Sequence, residues 1–193
     1  MTLRLLCLTL IILISLSLSA QAEQAAVPKQ LGSFGSWKAY ASEGDKPVCY
    51  MTMAVHFPPD KKIKRGDAFL MITHRPGDNS KDVVSYKAGY NFKSSSDVTA
   101  VINKKSFDLF TDKDTAWSRD ALTDHAFAAA IRTGSTLKVT GQPAAKGLTS
   151  VSDAIPLKGA GPAYAAISKA CGYPVETTPA GKAAPTNKKT KTH

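Results

Sequence analysis

Residues Lys105–Gly141 read KSFDLFTDKDTAWSRDALTDHAFAAAIRTGSTLKVTG, and this stretch decides the fold. It opens with apolar Phe107, Leu109 and Phe110, turns through polar Thr111-Asp112-Lys113-Asp114, and reaches Trp117. Ala126, Ala129 and Ala130, with Phe127, then fall on one side of a short helix. Gly134 stops it, and Leu137 and Val139 alternate with Lys138 and Thr140 as a strand does. Strand, turn, short helix and strand in one segment need further strands to pack against.

The flanking sequence supplies them. Phe34–Tyr40 reads as a first strand with Trp37 and Ala39 on one face. After a turn cluster at Ser42–Pro47 comes Val48–Val55, with Cys49, Met51 and Met53 sharing a face. Asp67–His74 is apolar on both faces, as a central covered strand is. Pro76-Gly77-Asp78-Asn79 turns the chain, Asp82–Lys87 pairs back, and Gly89–Phe92 continues it. Val98–Ile102 and Ser106–Thr111 make a hairpin about Asn103-Lys104-Lys105. Gly147–Leu157 is a last strand and Ala163–Ala170 a terminal helix. Ala160, Tyr164, Ile167 and Cys171 share one face of that helix. The expected class is mainly β: β-sandwich-like antiparallel sheets with a short central helix and a C-terminal helix.

The ends differ from this domain. Leu5–Leu18 is apolar apart from Thr9, Ser15 and Ser17, and Ala20-Gln21-Ala22 has the small-x-small pattern of a signal-peptidase site. Residues 1–22 therefore read as a signal peptide, too short for a comfortable span of about 20 residues; an uncleaved anchor is the alternative. Residues 23–31 read as a flexible leader and 32–173 as a single β-rich domain. Residues 174–193 have no large apolar side chain after Val175 and read as a disordered basic tail. The mature chain then has no transmembrane helix.

Twenty-five Lys and Arg against fifteen Asp and Glu give a net charge of +10. Removing the signal takes away Arg4 and no acid, leaving +9. An exported chain rarely meets nucleic acid, so diffuse positive charge points to solubility or to an anionic envelope component such as phosphorylated or acidic glycans. Lys61, Lys62 and Lys64, with Lys188, Lys189 and Lys191 in the tail, are the candidate contacts. Arg65-Gly66-Asp67, following these lysines, is a tripeptide that integrins read, and is a candidate adhesion site on a host-cell surface.

Past the signal only Cys49 and Cys171 remain, so a single pairing is available. An even count in an exported chain favours a disulfide. Closing a loop of roughly 120 residues is worth up to about 4–5 kcal/mol in the chain-entropy treatment. The alternative is a free catalytic thiol, although no C-x-x-C accompanies either residue.

Little else carries chemistry. His56, His74 and His125 lack metal-ligand spacing, and no H-E-x-x-H, G-x-S-x-G or phosphate-loop pattern occurs. Asp112 and Asp114 fit a hairpin turn better than a calcium loop. No metal, cofactor or catalytic residue is implied.

Several segments together resemble the invasion-associated locus B family of exported, mainly alphaproteobacterial proteins. They are Phe34-Gly35-Ser36-Trp37, Val48-Cys49-Tyr50-Met51, Ile72-Thr73-His74-Arg75-Pro76 and Gly89-Tyr90-Asn91-Phe92. Further on come Phe107–Thr111 with Ala116-Trp117, Ala129–Gly134, Ser152-Asp153 with Leu157-Lys158-Gly159, and Lys169-Ala170-Cys171-Gly172. The resemblance spans about residues 32–172. It implies a periplasmic or envelope β-sandwich-type protein, associated by name with host-cell invasion, and supplies no catalytic residues. The expectation is a non-enzymatic protein of the periplasm or outer envelope, or a secreted one. The alternative is a periplasmic hydrolase or thiol enzyme whose site assembles only in the fold, marked by His74 or His125 in a pocket beside a carboxylate and a nucleophile.

Overall fold

The computed structural model describes residues 27–57 and 63–175. The readings of residues 1–22 as a signal and 174–193 as a tail lie outside them, Pro174 and Val175 excepted. Ten strands form one antiparallel sheet in the order β1-β2-β3-β4-β5-β8-β7-β6-β9-β10. They are β1 Lys29–Phe34, β2 Trp37–Ala41, β3 Cys49–Val55, β4 Ala68–Arg75, β5 Ser80–Lys87, β6 Val98–Ile102, β7 Lys105–Asp112, β8 Thr115–Ser118, β9 Thr136–Gly141 and β10 Val151–Pro156. Two helices accompany them, α1 Ala121–Thr133 and α2 Ala160–Ala170. The chain is thus mostly β with a mid-chain and a C-terminal helix, and its strands are hydrogen-bonded into one continuous sheet.

Period-two alternation builds that sheet. Met51 and Met53, Leu70 and Ile72, Val84 and Tyr86, Leu137 and Val139 all point inward and are buried. Tyr86 of β5 nevertheless hydrogen-bonds Asp153 of β10, five places away in the strand order. The sheet therefore folds over until its two halves share one core. The β6–β7 hairpin shows how local chemistry sets register. Asn103 and Lys104, with φ of 47° and 69°, form the two-residue loop, and Ile102 pairs with Lys105. Positive φ at both loop positions gives the turn whose twist suits a hairpin.

Helix α1 starts at Asp120, whose side chain accepts the Thr123 N–H at 2.8 Å. Phe127 and Ile131 are fully buried, and Phe127 stacks on Phe107 with ring centroids 4.6 Å apart. The helix ends at Gly134, where a Cβ would lie 2.4 Å from the Ile102 side chain. The helix phase differs from the alanine-sided expectation. Asp124, Phe127, Ala128 and Ile131 are buried with Ala130, while Ala126 is exposed. Asp124 sets that phase, because its carboxylate accepts the Val84 N–H at 2.9 Å. The short β8 leaves that β5 donor without a strand partner.

One expectation is extended and two others are corrected. Thr115–Ser118 is a strand of its own, paired with β7 across a tight turn at Lys113-Asp114, which is the hairpin turn expected there. Residues 89–92 do not continue β5; Phe92 makes an isolated bridge to Pro143. Residues 29–31, expected in the leader, belong to β1 and pair with β2 through a bulge between Gln30 and Gly32. Hydrogen bonding rather than burial recruits them, since all three are exposed, and an amphipathic pattern does not report such an edge.

Candidate functional site

Two buried polar clusters and one disulfide lie inside the folded sheet. The disulfide joins Cys49, the first residue of β3, to Cys171 at the end of α2, with Cα atoms 6.0 Å apart. Both cysteines point inward for the reason read from the sequence: Cys49 is in phase with Met51 and Met53, and Cys171 with Tyr164 and Ile167. In this bonded state neither sulfur is a free thiol.

The first cluster centres on Asp153. Its two carboxylate oxygens accept from Arg65 Nη2 at 2.7 Å and Nη1 at 3.0 Å, a bidentate pair. Tyr86 donates its hydroxyl to the same carboxylate at 2.7 Å. The Arg65 guanidinium also lies 3.9 Å from the centre of the Phe57 ring and 4.9 Å from that of Tyr90. Burial, then the nearby Asp153 charge, pushes the Tyr90 hydroxyl up to about 12. The same causes, burial first, raise Tyr86, so both phenols stay protonated and Tyr86 remains a donor.

This cluster relocates the candidate adhesion tripeptide. Gly66 and Asp67 are exposed, but the Arg65 guanidinium is turned inward onto Asp153. The positive charge of the tripeptide is thus paired within the fold. Among the basic candidates, Lys64 is exposed, while Lys61, Lys62, Lys188, Lys189 and Lys191 lie outside the described residues.

The second cluster gathers His74 of β4, Asp82 of β5, His125 of α1, and Tyr164 and Ser168 of α2. Tyr164 donates to Asp82 Oδ1 at 2.6 Å, and His125 Nδ1 lies 2.7 Å from Asp82 Oδ2. The Asp82 N–H points at His74 Nδ1 at 3.1 Å, and His74 Nε2 lies 3.3 Å from Ser168 Oγ. Asp82 holds φ at 66°, a costly conformation for a non-glycine residue, kept here by bonds to both its backbone and its carboxylate.

A histidine, a carboxylate and a serine together resemble a nucleophile-activating set, so the proton positions matter. A backbone N–H can only donate, so His74 Nδ1 must accept. The neutral ring then carries its proton on Nε2 and donates it to Ser168. This is the reverse of general-base activation of a hydroxyl. Burial is the main reason the His74 imidazole drops to about 4, against the pull of the Asp82 charge. His74 and Ser168 are fully buried and Asp82 nearly so. Two clefts among the described residues, of about 550 and 540 Å³, border Ile63 and Lys64 and include none of the three. The set ties α2 to the sheet beside the disulfide and is buried apart from His125. His125, half exposed, is its one member facing solvent.

A family model for the invasion associated locus B protein matches residues 37–168, well over half of the chain. The chain belongs to the invasion associated locus B family. Among solved structures, the locus B chain is similar to the crystal structure of invasion associated protein b from Bartonella henselae. Identity is 16%, the match covers 69% of this chain and 89% of that one, and the TM-score is 0.46. No curated protein matches it. Among the described residues no helix is long and apolar enough to cross a membrane, and no group of three or more His, Cys, Asp and Glu could hold a metal ion.

Sequence reasoning missed Asp153 with Tyr86, and Asp82 with Ser168, as members of two buried polar clusters. One signal was present. Asp82 shares the inward phase of Val84 and Tyr86, and Asp153 that of Ile155. A carboxylate in phase with a core face requires a buried partner.

Proposed function

We propose that this locus B protein is exported to the periplasm or outer envelope, where it acts without catalysis by binding an anionic envelope component or a host-cell surface. The observation that carries the address is the Cys49–Cys171 bridge, a long-range structural disulfide of the kind that persists in oxidising compartments. The apolar N-terminal run ending at Ala20-Gln21-Ala22 supports the same route. Two observations support a binding role over a catalytic one. The histidine, carboxylate and serine set is buried with its proton on the wrong nitrogen for base catalysis, and the cysteines are paired. The net charge of +10 supports an anionic partner.

Cell fractionation with N-terminal sequencing tests the address. The expected product is a periplasmic or envelope-bound chain beginning at Glu23; a cytoplasmic chain retaining residues 1–22 overturns it. Retention of the mature chain on lipopolysaccharide or anionic vesicles, at low and high salt, tests the partner. The expected result is binding that weakens with salt and falls further when residues 174–193 are deleted. Retention unaffected by salt removes the electrostatic reading.

A further inference from the structure

A sheet packed on one side ordinarily presents polar residues on the other. The half formed by β6, β9 and β10 keeps to this, with Thr99, Lys138, Thr140 and Ser152 facing outward. The half formed by β2–β5, β8 and β7 is mixed: Lys38, Thr52, Ser85, Lys87 and Thr115 face outward among large apolar side chains. Its outward positions include Tyr50, Phe69, Met71, Val83, Trp117 and Phe110, each partly or openly exposed. Both helices pack on the opposite, inner face, so no element of the described residues covers these side chains. Phe110 and Trp117 stack on one another at 5.7 Å.

We propose that this outer face pairs with the same face of a second copy, about a two-fold axis running along the strands between β4 and β5. The ladder gives the reason. Consecutive partners across the face read Lys38, Thr52, Met71, Ser85, Trp117, Phe110. Set against its own reverse, this row places Lys38 over Phe110, Thr52 over Trp117 and Met71 over Ser85. Each large side chain meets a small one, and the lysine meets a ring. The next row, Ala54, Phe69, Lys87, Thr115, does the same: Phe69 meets Lys87 and Ala54 meets Thr115. Charge is complementary at the rims of the face in this orientation, while Lys87, beside the axis, approaches its own copy and keeps Asp114 as counter-ion at 3.4 Å. Lys38 is exposed at the β2 end, and Asp108 and Asp112 are exposed on either side of Phe110 at the β7 end. A two-fold axis perpendicular to the strands would instead set Lys38 near Lys38 and the aspartates near each other.

Six strands at ~4.8 Å spacing, over ~15 Å of strand length, make a face on the order of 400 Å². That lies within the range of the largest patches that monomers leave exposed. It is about half of what each partner buries in a standard stable interface, so the pair is weak.

Trp117 reports the association without any substitution. The chain has two tryptophans, and Trp37 is fully buried. Sedimentation of the mature chain from about 1 to about 300 µM, the range where so small an interface associates, should move from one copy toward two. Trp117 emission should shift to the blue and lose acrylamide quenching in step. Met71→Asp should weaken the pair at least tenfold, as should Lys38→Asp. Combining Lys38→Asp with Asp108→Lys and Asp112→Lys should restore it, and Thr140→Asp on the polar half should leave it unchanged. Unaltered melting of the Lys38 variants keeps the test independent of folding, since Lys38 is exposed. A single-copy mass at the highest concentration overturns the proposal. So does a monomer whose Trp117 is already shielded, because another segment then covers the face. Shielding of a monomer's Trp117 only by lipid vesicles, or a pair indifferent to both Met71→Asp and Lys38→Asp, also overturns it.

Discussion

Arg65 and Asp153 stand 88 positions apart and meet as a bidentate ion pair, with the carboxylate almost wholly buried. Tyr86 completes the acceptor's shell from β5. Removing the guanidinium would leave a buried charge with one phenol for company. Arg65→Ala should therefore cost about 3–5 kcal/mol in urea unfolding. Arg65→Met with Asp153→Leu should recover most of that loss, because no charge is then left unpaired. A double variant as unstable as Arg65→Ala would show that packing against Phe57 and Tyr90, not charge, carries the effect.

Cys171→Ser should lower stability by roughly 2–5 kcal/mol. Helix α2 has 11 residues, too few to hold alone in water, where about 12–15 is already marginal. Its amides should become the first of the domain to exchange, ahead of those in β3 and β4. Thiol titration of the denatured, unreduced mature protein should find no free thiol. Two titratable thiols would show that the bridge does not form.

Acid should loosen the same corner. The folded His74 imidazole sits near 4, below its ordinary 6.5. The unfolded chain thus binds the extra proton first, and stability rises with pH through this interval. The contribution is full above about 6.5 and is lost as pH falls toward 4, amounting to about 3 kcal/mol at most. In His74→Asn the amide oxygen can take the Asp82 N–H without titrating. The slope of stability between pH 6.5 and 4 should flatten in this variant, even if its stability at pH 7 is lower. An unchanged slope would assign the acid sensitivity to other groups.

Gly159→Ala should destabilise by at least about 2 kcal/mol, read as a lower melting temperature. Gly159 precedes α2 at φ 95°, and an added Cβ would lie 2.1 Å from the Phe34 carbonyl oxygen. The β1–β2 turn and the start of α2 approach too closely for any side chain there. Gly147→Ala makes the control. It too has positive φ, but nothing lies within 4 Å, so it should cost less.

Much of this protein was legible along the chain. Cys49, Met51 and Met53 alternate with polar neighbours, and Ala160, Tyr164, Ile167 and Cys171 recur at helical spacing, so the inward faces and the disulfide followed. These patterns are local: a strand or helix period is written within a few adjacent residues. The turn at Asn103-Lys104 and the helix stop at Gly134 were local too. What the chain order could not state was which inward polar groups would meet. Arg65 lies next to exposed lysines and reads as surface, yet the fold turns it onto Asp153. Asp82 and His74 belong to neighbouring strands, but their tie to Ser168 and Tyr164 depends on where α2 docks. The outward row from Lys38 to Phe110 exists only once six strands are in register. Sequence alone determined the alternating faces, the two helices and the single cysteine pairing, because each depends on short-range periodicity or on counting. Only the tertiary structure decided the buried ion pair, the buried histidine cluster and the outward row from Lys38 to Phe110, because these depend on strand register and on how far the sheet folds back over itself.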